Sequence, residues 1–209
     1  TLTTSLGLFA RGVRPAWQRR LAVLLGLLAS LAALGRMLGP SLSGSFGIID
    51  DHEILDMIGR HPRLPASEIL STIAERSNES VGRFRPAYWV GRTIEAAVAG
   101  QNPTWWYADR FALAAITLAA IYLALCHVAP PPVAAVVALL PFTGLQFETW
   151  TRLGPSEAYA VPLLCLAVLL VVRATTRGEP PARMWPAYVL LALAALAKEN
   201  FLFVGPLLV

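Results

Sequence analysis

The run from Leu21 to about Leu38 constrains this chain most, because it is apolar apart from Ser30 and Arg36 and follows Arg11, Arg14, Arg19 and Arg20. As a helix rising about 1.5 Å per residue, it nearly crosses a hydrocarbon core of about 30 Å. Backbone polar groups in lipid have to be satisfied within the segment, which restricts the fold to packed helices. The composition agrees: 14% of residues are charged and 56% hydrophobic, against about a quarter charged in an ordinary soluble domain. The expected class is therefore all-α, a multi-pass transmembrane helical protein with a large outer loop that bears interfacial amphipathic helices. No small-residue cleavage site separates the first run from the acidic stretch after it, so the run reads as a retained helix rather than a signal peptide.

Further spans are expected at about 111–128, 133–147, 158–172 and 185–207, with the outer loop at about 39–107. Pro141 falls in the third span and points to a tilted or broken helix. Arginines before the first span, and Arg173, Arg177 and Arg183 after the fourth, place the N-terminus and the segment after the fourth span in the cytoplasm. The Arg- and Ala-rich style then points to a bacterial inner membrane. The net charge of +4 sits mostly on Arg residues flanking apolar runs, which fits topology rather than nucleic-acid binding. Cys126 and Cys165 lie inside apolar runs and imply neither a disulfide framework nor a thiolate zinc site. A chain that starts at Thr1 and stops within an apolar run reads as the front portion of a longer protein.

The outer loop has helical pieces of its own. Asp50 or Asp51 can cap a short helix carrying Ile54, Leu55 and Ile58, with Gly59 ending it. Pro65 and Ser67 open a second, on which Ile69, Leu70 and Ile73 form the apolar side. A third, from about Pro86 to Ala99, sets Val90, Ile94 and Ala97 on one face and Arg85, Tyr88, Arg92 and Glu95 on the other, a pattern that suits a helix in the membrane interface. Trp105, Trp106 and Tyr107 form an aromatic belt at the return to the bilayer.

Under this topology Asp50, Asp51, His52, Glu53, Arg83, Arg85, Arg92, Glu148, Arg152, Glu157, Lys198 and Glu199 gather near the outer leaflet. Arginines recognise phosphate bidentately and a carboxylate can deprotonate a hydroxyl, so the set suits a phosphorylated lipid. Each group also has a simpler use. Asp50 with Glu53 is a capping pair, Arg83, Arg85 and Arg92 can meet anionic headgroups, and His52 has no second histidine at ligand spacing. Lys198 and Glu199 are placed at membrane depth, where an ionisable group is usually paired or functional. A transporter or lipid flippase would use the same charges along a translocation path.

The first span followed by Ile49-Asp50-Asp51-His52-Glu53 in a long outer loop resembles the start of the GT-C superfamily of integral-membrane glycosyltransferases. Phe147-Glu148 through Arg152 to Glu157, and Ala197-Lys198-Glu199-Asn200, are similar to segments of the protein O-mannosyltransferases and of the tetratricopeptide-containing O-mannosyltransferases. The resemblance implies inverting transfer from a polyprenyl-phosphate sugar donor to a protein or glycan acceptor, among membrane lipids and without nucleic acid. It implies Asp50 or Asp51 as the base and puts Glu148 or Glu157 at the family's acidic position after the third span, but gives the Arg83-Phe84-Arg85-Pro86 segment no role. Glu53, Arg83, Arg85, Arg92, Glu148, Arg152, Glu157, Lys198 and Glu199 are expected as substrate contacts from their place near the outer leaflet. It leaves open whether a divalent metal takes part, with His52 and Glu53 beside that question.

Overall fold

A computed structural model of the chain describes residues 15–47, 51–77, 83–201 and 203, and the regular structure within them is helical. Three of the described helices are long and apolar enough to cross a membrane: α1 (Ala16–Leu38, prolonged by a 3-10 turn to Ser43), α5 (Pro103–Leu125) and α8 (Glu157–Thr176). Between α1 and α5 lie α2 (His52–Ile58), α3 (Ile69–Ser77) and α4 (Pro86–Ala99), the three helices expected in the loop. Gly59 ends α2 with φ 62°, and a 3-10 turn over Ala66–Glu68 leads into α3.

α5 begins earlier than the apolar run indicates. Asn102 accepts a hydrogen bond on Oδ1 from the Thr104 amide at 3.1 Å, and Pro103 occupies the first turn, where its missing N–H costs nothing. The loop thus ends at Asn102 rather than Tyr107, and Trp105 to Arg110 belong to the helix.

The segment expected as a third span is broken. α6 (Pro131–Leu139) passes into a 3-10 turn at Leu140–Phe142, because Pro141 has no N–H with which to continue the α-helical ladder. Thr143 is extended and Gly144 takes φ 62°; the chain then resumes through Gly144–Phe147 into α7 (Glu148–Thr151), bent by 72° from the first half.

The fifth segment departs from expectation too. α9 (Trp185–Ala197) stops where Lys198 becomes extended, so Lys198 stands at a helix end; residues 202 and 204–209 of the expected span lie outside the described residues.

Leu34, Leu38, Ala114, Leu118, Tyr122, Ala134, Ala138 and Phe142 form one core, shared by α1, α5, α6 and the turn after it. Its alanines allow close helix approach, and the Tyr122 hydroxyl donates to the Val23 carbonyl at 2.8 Å, joining α5 to α1. A second core joins Ile54, Ile58 and Leu64 to Ala96, Trp106 and Leu153, fastening the loop helices onto α5.

α4 turns its polar side inward. Tyr88, Arg92 and Thr93 are buried, whereas Val90, Ile94 and Val98 are exposed. A water-facing helix would do the reverse; the exposed apolar stripe is the side expected to meet lipid.

Candidate functional site

At the end of the bundle where α8 begins and α9 ends, a cavity of about 270 Å³ is lined by Glu53, Arg83, Arg85, Tyr88, Arg152, Glu157 and Lys198, with the Gly154–Ser156 turn as part of its wall. These residues come from α2, the segment before α4, α4 itself, the α7–α8 connection and the tips of α8 and α9. The spacing along the chain hides the grouping that the fold creates.

Within the cavity four cations face two carboxylates. Lys198 Nζ lies 3.0 Å from Glu157 Oε1. Arg85 donates to the buried Ser156 hydroxyl at 3.2 Å and lies 5.0 Å from the centre of the Tyr88 ring. At the rim, Arg152 meets Glu148 at 3.6 Å and Arg83 approaches Glu199 at 4.0 Å. With these rim partners counted, four cations meet four carboxylates, so an anion with several oxygens, such as a phosphate, would bind by taking the place of carboxylate partners.

The structure places the other expected residues elsewhere. Asp51 is 3% exposed, and its Oδ2 accepts from the Gly47 amide at 2.5 Å. It immediately precedes α2, yet its side chain makes no capping bond to the helix; it secures the loop that enters α2 instead. Asp50 lies outside the described residues. Arg92 is 1% exposed and points away from the cavity into a second group of charges.

In that group Glu95 lies 3.6 Å from Arg92 and 3.4 Å from Arg110, and both guanidinium side chains are buried. Tyr159 donates to Glu95 Oε2 and accepts from Arg110 Nη2, each at 2.5 Å. Arg110 also stacks 4.2 Å from the Tyr159 ring centre. Gly91 makes the arrangement possible: a Cβ there would meet the Tyr159 ring at 2.9 Å, so only glycine lets α4 come this close to α8.

Burial alone would push the Glu95 carboxyl up, but the Arg110 guanidinium, a hydrogen bond with Asp109 and Arg92 together hold it below the usual carboxylate range. The Arg92 guanidinium stays charged because Tyr159, Tyr88 and Glu95 outweigh its loss of water. Tyr88 separates the two groups. Its hydroxyl donates to the Gly154 carbonyl at 3.3 Å, and its ring lies between Arg85 on the cavity side and Arg92 on the buried side.

Sequence reading singles out Arg92 but not its partners Glu95, Arg110 and Tyr159 as a unit. The one available signal was the placement of Arg92 and Glu95 a helical turn apart on the polar face of α4. Among the described residues, no group of three or more His, Cys, Asp or Glu side chains stands close enough to hold a metal ion. Compared with protein-family models, curated proteins and solved structures, the chain matches none.

Proposed function

We propose that the chain is part of a multi-pass membrane glycosyltransferase that moves a sugar from a polyprenyl-phosphate donor to a protein or glycan acceptor on the periplasmic side. The observation that carries this reading is the cavity itself. It gathers Glu53, Arg83, Arg85, Arg152, Glu157 and Lys198 at one end of the long apolar helices. Arg19, Arg173 and Arg177 stand together at the other end, as one topology for both basic clusters requires.

In the proposed reaction, a carboxylate of the 50–53 stretch takes the proton from an acceptor hydroxyl as its oxygen attacks the anomeric carbon from the face opposite the phosphate. The bond from that carbon to the phosphate oxygen breaks, and the lipid phosphate leaves with the electron pair. Arg83, Arg85, Arg152 and Lys198 offset the charge that develops there. Glu53 is the described carboxylate of the stretch that lines the cavity, while Asp51 holds the loop that presents it. Asp50 remains a candidate base through the resemblance.

The test is transfer of label from radiolabelled polyprenyl-phosphate sugars to membrane acceptors by the full chain in lipid, comparing wild type with Asp50→Asn, Asp51→Asn and Glu53→Gln. Loss of the base should lower transfer by about 100-fold or more. Wild-type turnover in all three variants would sink the assignment. The 72° break in the 131–151 segment favours a second reading, a lipid flippase, since broken helices are a feature of translocation paths. Movement of the labelled lipid across vesicles without transfer would support it.

A further inference from the structure

A second set of cations converges at the opposite end of the bundle from the polar cavity. Arg19 of α1, Arg173 and Arg177 at the end of α8, and His127 just beyond α5 line a space of about 330 Å³ with Val23 and Leu123 on its apolar wall. The same Arg19, Val23 and Leu123 continue into an adjoining space of about 350 Å³ that runs along Leu24 and Leu27 of α1. Arg177 has Glu179 at 3.7 Å, whereas among the described residues no carboxylate forms an ion pair with Arg19 or Arg173. His127 is held near α8 by a 3.5 Å contact of its Nδ1 with the Thr176 hydroxyl.

A cation-lined mouth opening onto an apolar groove matches an amphiphile with a negative head. Guanidinium groups from two helices can hold phosphate oxygens in a fixed fork, and basic pockets between spanning helices suit anionic headgroups. A soluble phosphate would leave the apolar part of the groove unused. Exposed Leu24 and Leu28 extend that surface along α1.

We propose that this site binds an anionic phospholipid, its phosphate between Arg19 and Arg173 and an acyl chain along Val23, Leu24 and Leu27. The proposal rests on α1, α5 and α8 lying in a bilayer and is independent of the chemistry at the other end.

Native mass spectrometry of the full chain in neutral detergent, titrated with phosphatidylglycerol, phosphatidylcholine or inorganic phosphate, tests it. Wild type and Arg60→Gln, a control in the loop after α2, should retain phosphatidylglycerol in preference to phosphatidylcholine. In Arg19→Gln/Arg173→Gln that preference should fall about tenfold or more, from the loss of two headgroup cations. Arg19→Lys/Arg173→Lys, which preserves the charges, should keep part of it and guards against a folding defect in the first pair. Equal binding of the two lipids, an unchanged preference in the Gln pair, or phosphate alone displacing phosphatidylglycerol would overturn the proposal. A chain that stays monodisperse without detergent would overturn it as well, by removing the bilayer on which it rests.

Discussion

The polar cavity and the buried charge group use similar side chains and share Tyr88, but they stand on opposite sides of the water boundary. In the cavity Lys198 and Glu157 retain 16% and 39% of their side-chain exposure, while Arg92 and Arg110 keep 1% each. Charges in the first setting exchange partners with water or a ligand at small cost. Charges in the second hold each other and the helices that carry them, because an unpaired ion there has no solvent to return to. The difference separates residues available for chemistry from residues that hold the cavity's walls in place.

Substitutions should follow that division, the deepest first. Arg110→Met leaves Glu95 buried against fewer cations and should cost about 3 to 5 kcal/mol, measured as denaturant unfolding in detergent. A stability equal to wild type would mean that water reaches the group, and the contrast would collapse. Tyr159→Phe keeps the packed ring but removes the hydroxyl shared by Glu95 and Arg110. We expect a loss of about 1 to 3 kcal/mol in the same measurement.

Acid supplies a third probe. The folded state holds Glu95 below its ordinary value of 4.5. Its contribution to stability is therefore complete above that value and is lost as the pH falls below it and through the folded pKa. The acid-side drop in unfolding midpoint should shrink in Glu95→Gln relative to wild type; an identical profile would show that another carboxylate controls it.

Lys198→Met should have the smallest effect on stability, below about 1 kcal/mol, since its pair with Glu157 is partly solvated. It should nevertheless strongly reduce label transfer in the assay proposed above. A large stability loss in this variant would move the cavity into the same class as the buried group.

Much of the fold can be read from the sequence because it follows from uninterrupted apolar runs and helical periodicity. α1, α4 and α8 fall close to their expected places for that reason. The cavity was partly legible too, since Glu53, Arg83, Arg85, Arg152, Glu157 and Lys198 stand beside the ends of apolar runs, and the fold brings those ends together. Contacts between distant segments were not. Tyr159 sits in a largely apolar run, 64 positions from Glu95 and 49 from Arg110, and no local pattern marks it as their partner. Arg110 stands among interfacial aromatics, where an arginine is ordinarily a headgroup anchor, until the start of α5 at Pro103 turns it inward. The end of α9 was hidden as well, because the apolar run over residues 201–209 gives no sign that the backbone turns extended at Lys198.

α8 also sets a length. Glu157 marks its polar end and Arg173 its basic one, leaving about 24 Å of helix axis between them. That is shorter than an average hydrocarbon core of about 30 Å, so a surrounding bilayer would have to thin locally or draw the flanking side chains outward along their own length. In such a bilayer, a change of thickness would act on both ends of α8 at once.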